Sequence, residues 1–277
     1  MHVGILTAPF GGEPFETVLD FAEEAVIPAL EVVAQPGSKH IDPAKLTPTK
    51  VKKIQAMLDE RGLEISSLAY YDASLTDPKS TGKVQSHARK CIDAAAALGV
   101  PTLCMLAGFP APGMSKIETI KNVLPKLFRP ILTHARAKKI NIALENWFAT
   151  CLQGIDTFEC LFETIPDKNF GLNYDPSHLY HQECDHLLPI AMFPNRIFHT
   201  HAKDTLVDKA KRAKVGVYGA GWWRYVIPGF GNIDWGEYTT HLRIAGYDGV
   251  LSIEHEDATQ TLEEGFLRGA SYLEQFC

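Results

Sequence analysis

The sequence KVQSHARKCIDAAAALGVPTLCML, from Lys83 to Leu106, contains one complete unit of the pattern that decides the fold. Its first part, residues 83–98, has the periodicity of an amphipathic helix. Leu98-Gly99 then places a glycine where helices commonly close with a left-handed residue, and an apolar run follows at 101–106. This stretch therefore predicts a helix that ends at glycine and leads directly into a buried strand.

The same pattern of helix, glycine and apolar run recurs at Arg61-Gly62 and at Ala245-Gly246-Tyr247. Working outward from these points, we predict strands at residues 2–7, 29–34, 63–70, 101–106, 140–145, 170–175, 196–203 and 249–254. Segments with helical periodicity lie between them, among them 16–25, 48–61, 83–98 and 117–138. Alternating strands and helices form parallel sheets, and 277 residues suit a barrel of roughly 250 residues. We therefore expect an α/β fold, a single (β/α)8 TIM barrel forming one domain over residues 1–277.

The charge balance and hydropathy exclude several classes of protein. Basic residues number 27 and acidic residues 33, which gives a net charge of −6, and no local basic patch offsets this balance. Proteins that bind nucleic acid or anionic membranes carry such patches, so we expect neither partner. The N-terminus lacks the basic start and apolar run of a secretory signal, and no segment approaches the ~20 apolar residues of a membrane helix. The sequence therefore predicts a soluble, cytoplasmic protein.

Four successive strands end in a side chain that can bind a divalent metal ion. The segments are Ile142-Ala143-Leu144-Glu145, Leu172-Asn173-Tyr174-Asp175, His199-Thr200-His201 and Ser252-Ile253-Glu254. The carboxyl ends of all strands open on one face of a parallel barrel, so these side chains should converge. Three carboxylates so close would repel each other unless a cation lay among them. An O3N ligand set favours Mn2+, with Mg2+, Co2+ and Zn2+ also compatible. We predict that one such ion is bound by Glu145, Asp175, His201 and Glu254.

Two further candidates lie beside these four side chains. His178 belongs to Asp175-Pro176-Ser177-His178, a short turn that either returns the imidazole to the site as a substrate contact or places it next to a helix cap. In strand seven, the period of two places His199, His201 and Lys203 on one face. We expect Lys203 to steady a developing oxyanion, and His199 to lie deeper as a hydrogen-bonded interior residue.

Residues 205–233 form the longest region without clear periodicity. Long loops in compact domains are often functional, and the position after strand seven favours a lid over the barrel mouth, although a surface excursion fits the same pattern. Arg224 is the main cationic candidate for substrate binding in this region. Trp147 either forms an apolar wall for a sugar ring or packs in the interior. Glu31, in the apolar run of strand two, is a further acidic candidate.

At these residues the chain resembles the xylose isomerase-like barrel family, and within it the sugar phosphate isomerase/epimerase group that includes D-tagatose 3-epimerase and inosose dehydratase. The matching segments are Ala143-Leu144-Glu145-Asn146, Asp175-Pro176-Ser177-His178, HTHAKD at 199–204 and GVLSIEHED at 249–257. The resemblance implies that the four strand-end residues hold the metal, that Glu145 and Glu254 also face the substrate, and that His178 contacts it. It further implies a homo-oligomer or a heteromeric partner subunit.

Two enzyme classes fit this constellation. The first is a metal-dependent isomerase or epimerase of a sugar, keto-sugar or cyclitol, in which Glu145 and Glu254 act as base and acid in a proton transfer through an enediolate. The alternative is a lyase or dehydratase that performs β-elimination on a keto-sugar or a 3-oxo-glycoside, including C-glycosides. A non-catalytic metal-binding subunit is a third interpretation. In each enzyme class the expected substrate is a small carbohydrate, and the sequence contains no phosphate-binding loop motif.

Overall fold

The computed structural model describes all residues from Met1 to Cys277 and contains a closed barrel of eight parallel strands. Its ten strands are β1 (His2–Leu6), β2 (Ala29–Val33), β3 (Glu64–Tyr70), β4 (Thr102–Leu106), β5 (Asn141–Glu145), β6 (Phe170–Tyr174), β7 (Ile197–Ala202), β8 (Asp204–Val207), β9 (Trp223–Val226) and β10 (Val250–Ile253). Strands β1 to β7 and β10 follow one another around the barrel, and β10 closes it against β1. Each barrel strand lies within one residue of its predicted bounds, so the predicted single (β/α)8 barrel is confirmed.

Helices pack around the outside of the barrel. They are α1 (Phe15–Glu24), α2 (Pro48–Arg61), α3 (Thr81–Leu98), α4 (Lys116–Asn122), α5 (Leu124–Ala137), α6 (Ile155–Thr164), α7 (Ser177–Tyr180), α8 (Leu188–Met192), α9 (Lys209–Val215), α10 (Trp235–Ile244) and α11 (Leu262–Glu274). Gly62 and Gly99 end α2 and α3 with φ of +65° and +79°, as the sequence predicted. None of these helices combines the length and the apolar character needed to span a bilayer.

The helix expected at 117–138 is divided into α4 and α5. The break lies at Val123, where φ is −116° and ψ is −52°. Pro125 explains it, because proline has no N–H to donate to the carbonyl of residue 121 and its ring crowds the preceding turn. The apolar periodicity continues across the break because both helices face the same core, which is why the pattern suggested one helix.

Apolar side chains of the strands and helices form one continuous core. Its largest buried members include Phe128, Phe158 and Phe170, which lie between the barrel and the surrounding helices. Such a core is close-packed and resists local displacement. It therefore holds the carboxyl ends of the strands, where the candidate site residues lie, in fixed relative positions.

The region 205–233 is more ordered than the sequence suggested. Strands β8 and β9 pair antiparallel in a hairpin, with α9 between them. The chain returns from this hairpin through a turn that surrounds Asp204, whose carboxylate accepts hydrogen bonds from the amides of Gly229, Gly231 and Ile233 at 3.1, 3.2 and 3.1 Å. The indole of Trp235 donates a further bond of 3.0 Å. These bonds anchor the hairpin to the end of β7.

Candidate active site

The four predicted metal ligands lie together at the carboxyl end of the barrel. Glu145 ends β5, Asp175 follows β6, His201 lies in β7 and Glu254 follows β10. One potential ligand atom of each lies within 4.8 Å of those of the other three. Asp175 and His201 are completely buried, and Glu145 and Glu254 are largely so. The geometry thus brings together the residues that the strand-end pattern singled out.

The residues of this cluster fit a bound divalent cation. Nδ1 of His201 and Oδ2 of Asp175 are buried and have no partner in hydrogen-bonding geometry. Buried polar atoms almost always have partners, so two orphaned atoms in a cluster of three carboxylates call for an additional positive group. Three carboxylates and one imidazole are the donor set that suits Mn2+, Mg2+, Co2+ or Zn2+.

Glu31 orients the imidazole of His201. Its carboxylate lies 3.0 Å from Nε2 of His201, accepts a 2.9 Å hydrogen bond from Ser252 and also accepts the hydroxyl proton of Tyr71. A carboxylate in this position accepts a hydrogen bond from Nε2–H of a neutral imidazole, so that the lone pair of Nδ1 is directed at the cluster. The sequence offered only a weak signal for this role, an acidic residue within an apolar strand.

Lys203 balances the negative charge of the cluster. Its ammonium lies 2.6 Å from Glu254, 3.2 Å from Asp175 and 3.3 Å from Glu256. Burial would lower the pKa of Lys203, but Glu254 and Asp175 outweigh burial and hold the pKa well above its usual value. Sequence reasoning did not single out Glu256, although its position two residues after Glu254 places it on the same face.

Hydrogen bonds and charges favour the ionised forms of the two candidate acid–base residues. Burial alone would raise the pKa of Glu145, but the hydrogen bond from His178 and the charge of Lys203 hold it well below the usual value. For Glu254, burial again raises the pKa, but the charge of Lys203 counters this effect, and the pKa lies below its usual value. Both side chains are therefore carboxylates, the form that a base requires.

The turn after β6 places His178 against Glu145. Asn146 holds this turn through two bonds of 2.8 Å to the backbone of Asp175, and the amide of Ser177 donates to the Asp175 carboxylate. As a result, Nε2 of His178 lies 3.1 Å from Oε1 of Glu145. The imidazole thus lies at the cluster, and His178 also belongs to the first turn of α7, so its contact with a substrate stays a prediction.

A cavity of about 330 Å³ opens directly above the cluster. Its polar floor includes both candidate acid–base glutamates. Its walls are aromatic and consist of Tyr71, Trp147, Phe148, Trp223 and Tyr225. This volume lies at the lower end of the range for small-molecule sites, so the cavity suits a ligand the size of a monosaccharide.

The hairpin contributes to this cavity through residues other than the predicted one. Trp223 and Tyr225 line the cavity, whereas Arg224 points away and its guanidinium pairs with Asp257 at 2.7 Å. Alternate residues of a strand face opposite sides, so the register of β9 decides which of them reach the site. Trp147 and Lys203 do line the cavity, and their contact with a substrate stays a prediction.

Two curated relatives differ in how much of the chain they match. Protein YfiH of Bacillus subtilis strain 168 is 26% identical over 313 aligned positions, which cover 99% of both chains. The inosose dehydratase of Geobacillus thermodenitrificans is 29% identical over 156 positions, which cover 52% of this chain and 50% of that enzyme.

Solved structures share the fold at lower identity. The IolI protein, whose structure contains a zinc atom, superposes with a TM-score of 0.76 at 17% identity and covers 100% of this chain and 98% of its own. A D-tagatose 3-epimerase-like protein gives a TM-score of 0.75 at 19% identity, with coverages of 100% and 97%. At these identities the likeness concerns the fold alone.

The family follows from the sequence itself. The sequence model of the xylose isomerase-like TIM barrel matches residues 19–276, which is nearly the entire chain. The resemblance noted at the strand-end motifs is confirmed by this match. The chain belongs to the xylose isomerase-like TIM barrel family.

Proposed function

We propose that the protein is a divalent-metal-dependent enzyme that isomerises or epimerises a sugar, keto-sugar or cyclitol by proton transfer at the carbon beside a carbonyl. One observation carries this proposal: Glu145 and Glu254 both belong to the cluster with the orphaned ligand atoms and both line the cavity. When bound there, a divalent cation would stabilise the negative charge that develops on the substrate oxygens. The two glutamates can then act on the neighbouring C–H bond.

The two glutamates reach the cavity from different parts of the barrel. Glu145 ends β5 and Glu254 follows β10, and β6 and β7 separate these strands. Either carboxylate can remove a proton from one face of a carbon while the other, once protonated, returns a proton to the opposite face, which inverts the centre. His178 steadies Glu145, and Lys203 steadies Glu254.

The lining of the cavity favours an uncharged polyol as substrate. Aromatic walls pack well against the C–H faces of a ring, and the carboxylates of the floor accept hydrogen bonds from hydroxyl groups. The ammonium of Lys203, the lysine of the lining, already lies within 3.3 Å of three carboxyl groups, those of Glu254, Asp175 and Glu256. A phosphate group would have to compete with these carboxylates for the ammonium.

Elimination is the second candidate function, and Glu256 favours it. Burial raises the pKa of Glu256, and the adjacent Glu254 carboxylate adds to this effect while Lys203 opposes it. A carboxyl group with a raised pKa holds its proton to a higher pH than its neighbours do, and it can give that proton to a leaving oxygen as the base removes the C–H proton, so that the C–O bond breaks and water or an alcohol departs. The similarity to an inosose dehydratase supports the same reaction class.

Proton NMR in D2O tests both functions with one set of samples. The Mg2+-loaded protein, which is diamagnetic, is incubated with ketohexoses, inososes and 3-oxo-glucosides. Deuterium incorporation together with a new stereoisomer or a positional isomer supports the isomerase. Loss of water or release of an aglycone assigns the protein to the lyases. Metal binding without exchange or product for any compound would contradict both and indicate the non-catalytic subunit.

A further inference from the structure

The β8–β9 hairpin contacts the turn after β6 through the side chains of Tyr225 and Trp223. The phenol oxygen of Tyr225 lies 2.6 Å from Nδ1 of His178 and 3.2 Å from Nε2 of His181. Beside it, the indole of Trp223 stacks on the His181 ring, with centroids 3.9 Å apart and planes 4° from parallel. The hairpin therefore meets the turn after β6 in a defined hydrogen-bonded geometry.

The other nitrogen of His178 fixes the direction of these hydrogen bonds. Nε2 lies 3.1 Å from Glu145, and an ionised carboxylate only accepts hydrogen bonds. The Lys203 ammonium also approaches Nε2, at 3.4 Å, but it donates to Glu254 at the much shorter distance of 2.6 Å. Because the carboxylate can only accept, the contact with Glu145 places the proton of the ring on Nε2.

It follows that Nδ1 of His178 accepts a hydrogen bond. Tyr225 is the group within reach that can donate one, and its oxygen then accepts from Nε2 of His181. The chain of donors runs from His181 through Tyr225 and His178 to Glu145. Every member of this chain has a partner, and networks of this kind hold their side chains in one orientation.

We propose that Tyr225 is a positioning residue, whose hydroxyl donates to Nδ1 of His178 and thereby keeps the ring in the tautomer that presents Nε2–H to Glu145. The effect of Tyr225 on turnover rests on the proposed function, whereas its effect on the tautomer of His178 is independent of that function. The proposal also gives the hairpin a role in the site. If the hairpin moves away, His178 loses the partner that selects its protonated nitrogen.

Nitrogen-15 NMR of histidine-labelled, Mg2+-loaded full-length protein tests the tautomer directly. Correlations between ring carbon-bound protons and the two nitrogens identify which nitrogen is protonated, and His178→Asn assigns the signals. We expect His178 as the Nε2–H form in the wild type and a shift towards the Nδ1–H form in Tyr225→Phe. Tyr218→Phe is the matched control, because Tyr218 is fully exposed in the segment between β8 and β9. Its His178 signals should equal those of the wild type.

Several outcomes would overturn the proposal. The first is a wild-type spectrum in which His178 is protonated on Nδ1 or on both nitrogens, and this result does not require any variant to fold. The second is a Tyr225→Phe spectrum in which the His178 signals are identical to those of the wild type. With an active substrate, we expect kcat of Tyr225→Phe to fall about 10-fold or more at nearly unchanged KM. A change confined to KM would instead indicate a direct substrate contact. If the tautomer changes as predicted but the wild type catalyses no reaction, Tyr225 is still a positioning residue for His178, and the proposed function is refuted.

Discussion

At the scale of single residues, the candidate site depends on a second layer that supports the four predicted ligands. Glu31 is completely buried, and its carboxylate contacts His201, Ser252 and Tyr71. Without its charge, the Nε2 proton of His201 would be held less firmly, and Nδ1 would be a weaker ligand. Glu31 is therefore expected to affect metal binding although it contacts neither the metal nor the substrate.

Glu31→Gln should weaken metal binding while the protein stays folded. Outer-layer partners of metal ligands typically contribute a factor of about 10 to 100 in metal affinity or activity. Isothermal titration with Mn2+ measures the effect, and Glu24→Gln, an exposed position on α1, serves as the control. Equal affinities of the Glu31→Gln variant and the wild type would show that the carboxylate does not orient His201.

Glu145→Gln and Glu254→Gln should each abolish proton transfer. An amide is nearly isosteric with the carboxylate but cannot accept the substrate proton, so C–H exchange should fall by at least about 100-fold. Because both residues are also candidate ligands, exchange must be measured at saturating Mg2+, with occupancy verified by titration. Full exchange in both metal-saturated variants would exclude them as acid and base.

The Asp204 turn matters at the scale of secondary-structure elements, because it anchors the hairpin that carries Tyr225. Gly231 fits there only because it has no side chain: an added Cβ would lie 2.2 Å from Oδ1 of Asp204 and 2.7 Å from the carbonyl oxygen of Thr205. Both neighbours are held in place, the first by several hydrogen bonds and the second by the backbone of β8. The turn therefore cannot accommodate a methyl group without moving.

We expect Gly231→Ala to loosen the hairpin and to destabilise the protein by about 1–3 kcal/mol, the range for inserting a methyl group into a packed site. Chemical denaturation measures the loss, and limited proteolysis should cut faster within 205–233. Gly12→Ala is the control, since nothing lies within 4 Å of its added Cβ. If Gly231→Ala matched this control in both measurements, the turn would not be the anchor.

The contact between the hairpin and the turn after β6 also predicts a pH dependence of stability. Burial lowers the pKa of His181 to about 3, and the positive charge of Lys203 adds to this effect. An unfolded histidine titrates near pH 6.5, so between about pH 6.5 and 3 the unfolded chain binds the additional proton. Stability is therefore lost as the pH falls through this window.

Replacing His181 should flatten this dependence. Between pH 6 and 4, the slope of unfolding free energy against pH should decrease in His181→Asn by up to about 1.4 kcal/mol per pH unit. The slope is the readout, because loss of stacking on Trp223 lowers stability at every pH. Denaturant titrations at several pH values provide it. Parallel curves for wild type and variant would show that His181 is not held neutral in the fold.

At the scale of the whole molecule, the repeating pattern made the barrel predictable, whereas pairings between distant segments were not. Glu145 and Glu254 could be found because each ends an apolar strand, and all strand ends of a parallel barrel share one face. The hairpin gave no such signal, because β8 and β9 are only four residues long and fifteen residues separate them. The register between β8 and β9 directs Tyr225 towards the cavity and Arg224 away from it. The local sequence pattern does not predict this register.

The barrel also explains why a bound ion should stabilise the entire protein. The candidate ligands come from four different strands, so a cation among them links strands that are distant in sequence. An ion that binds only the folded state raises the unfolding free energy, by about 2.7 kcal/mol when its concentration is 100 times Kd. It also removes the repulsion among the buried carboxylates.

Denaturation with saturating Mn2+ and with EDTA should therefore give two clearly different midpoints. Asp175→Asn should abolish the difference, because it removes a buried ligand whose Oδ2 has no hydrogen-bond partner within the protein. Asp59→Asn, on the exposed face of α2, should retain the full difference. If the midpoint of the wild type did not change with Mn2+, the four strand ends would not form a metal site. A full response in Asp175→Asn would lead to the same conclusion, because an ion bound elsewhere does not depend on Asp175.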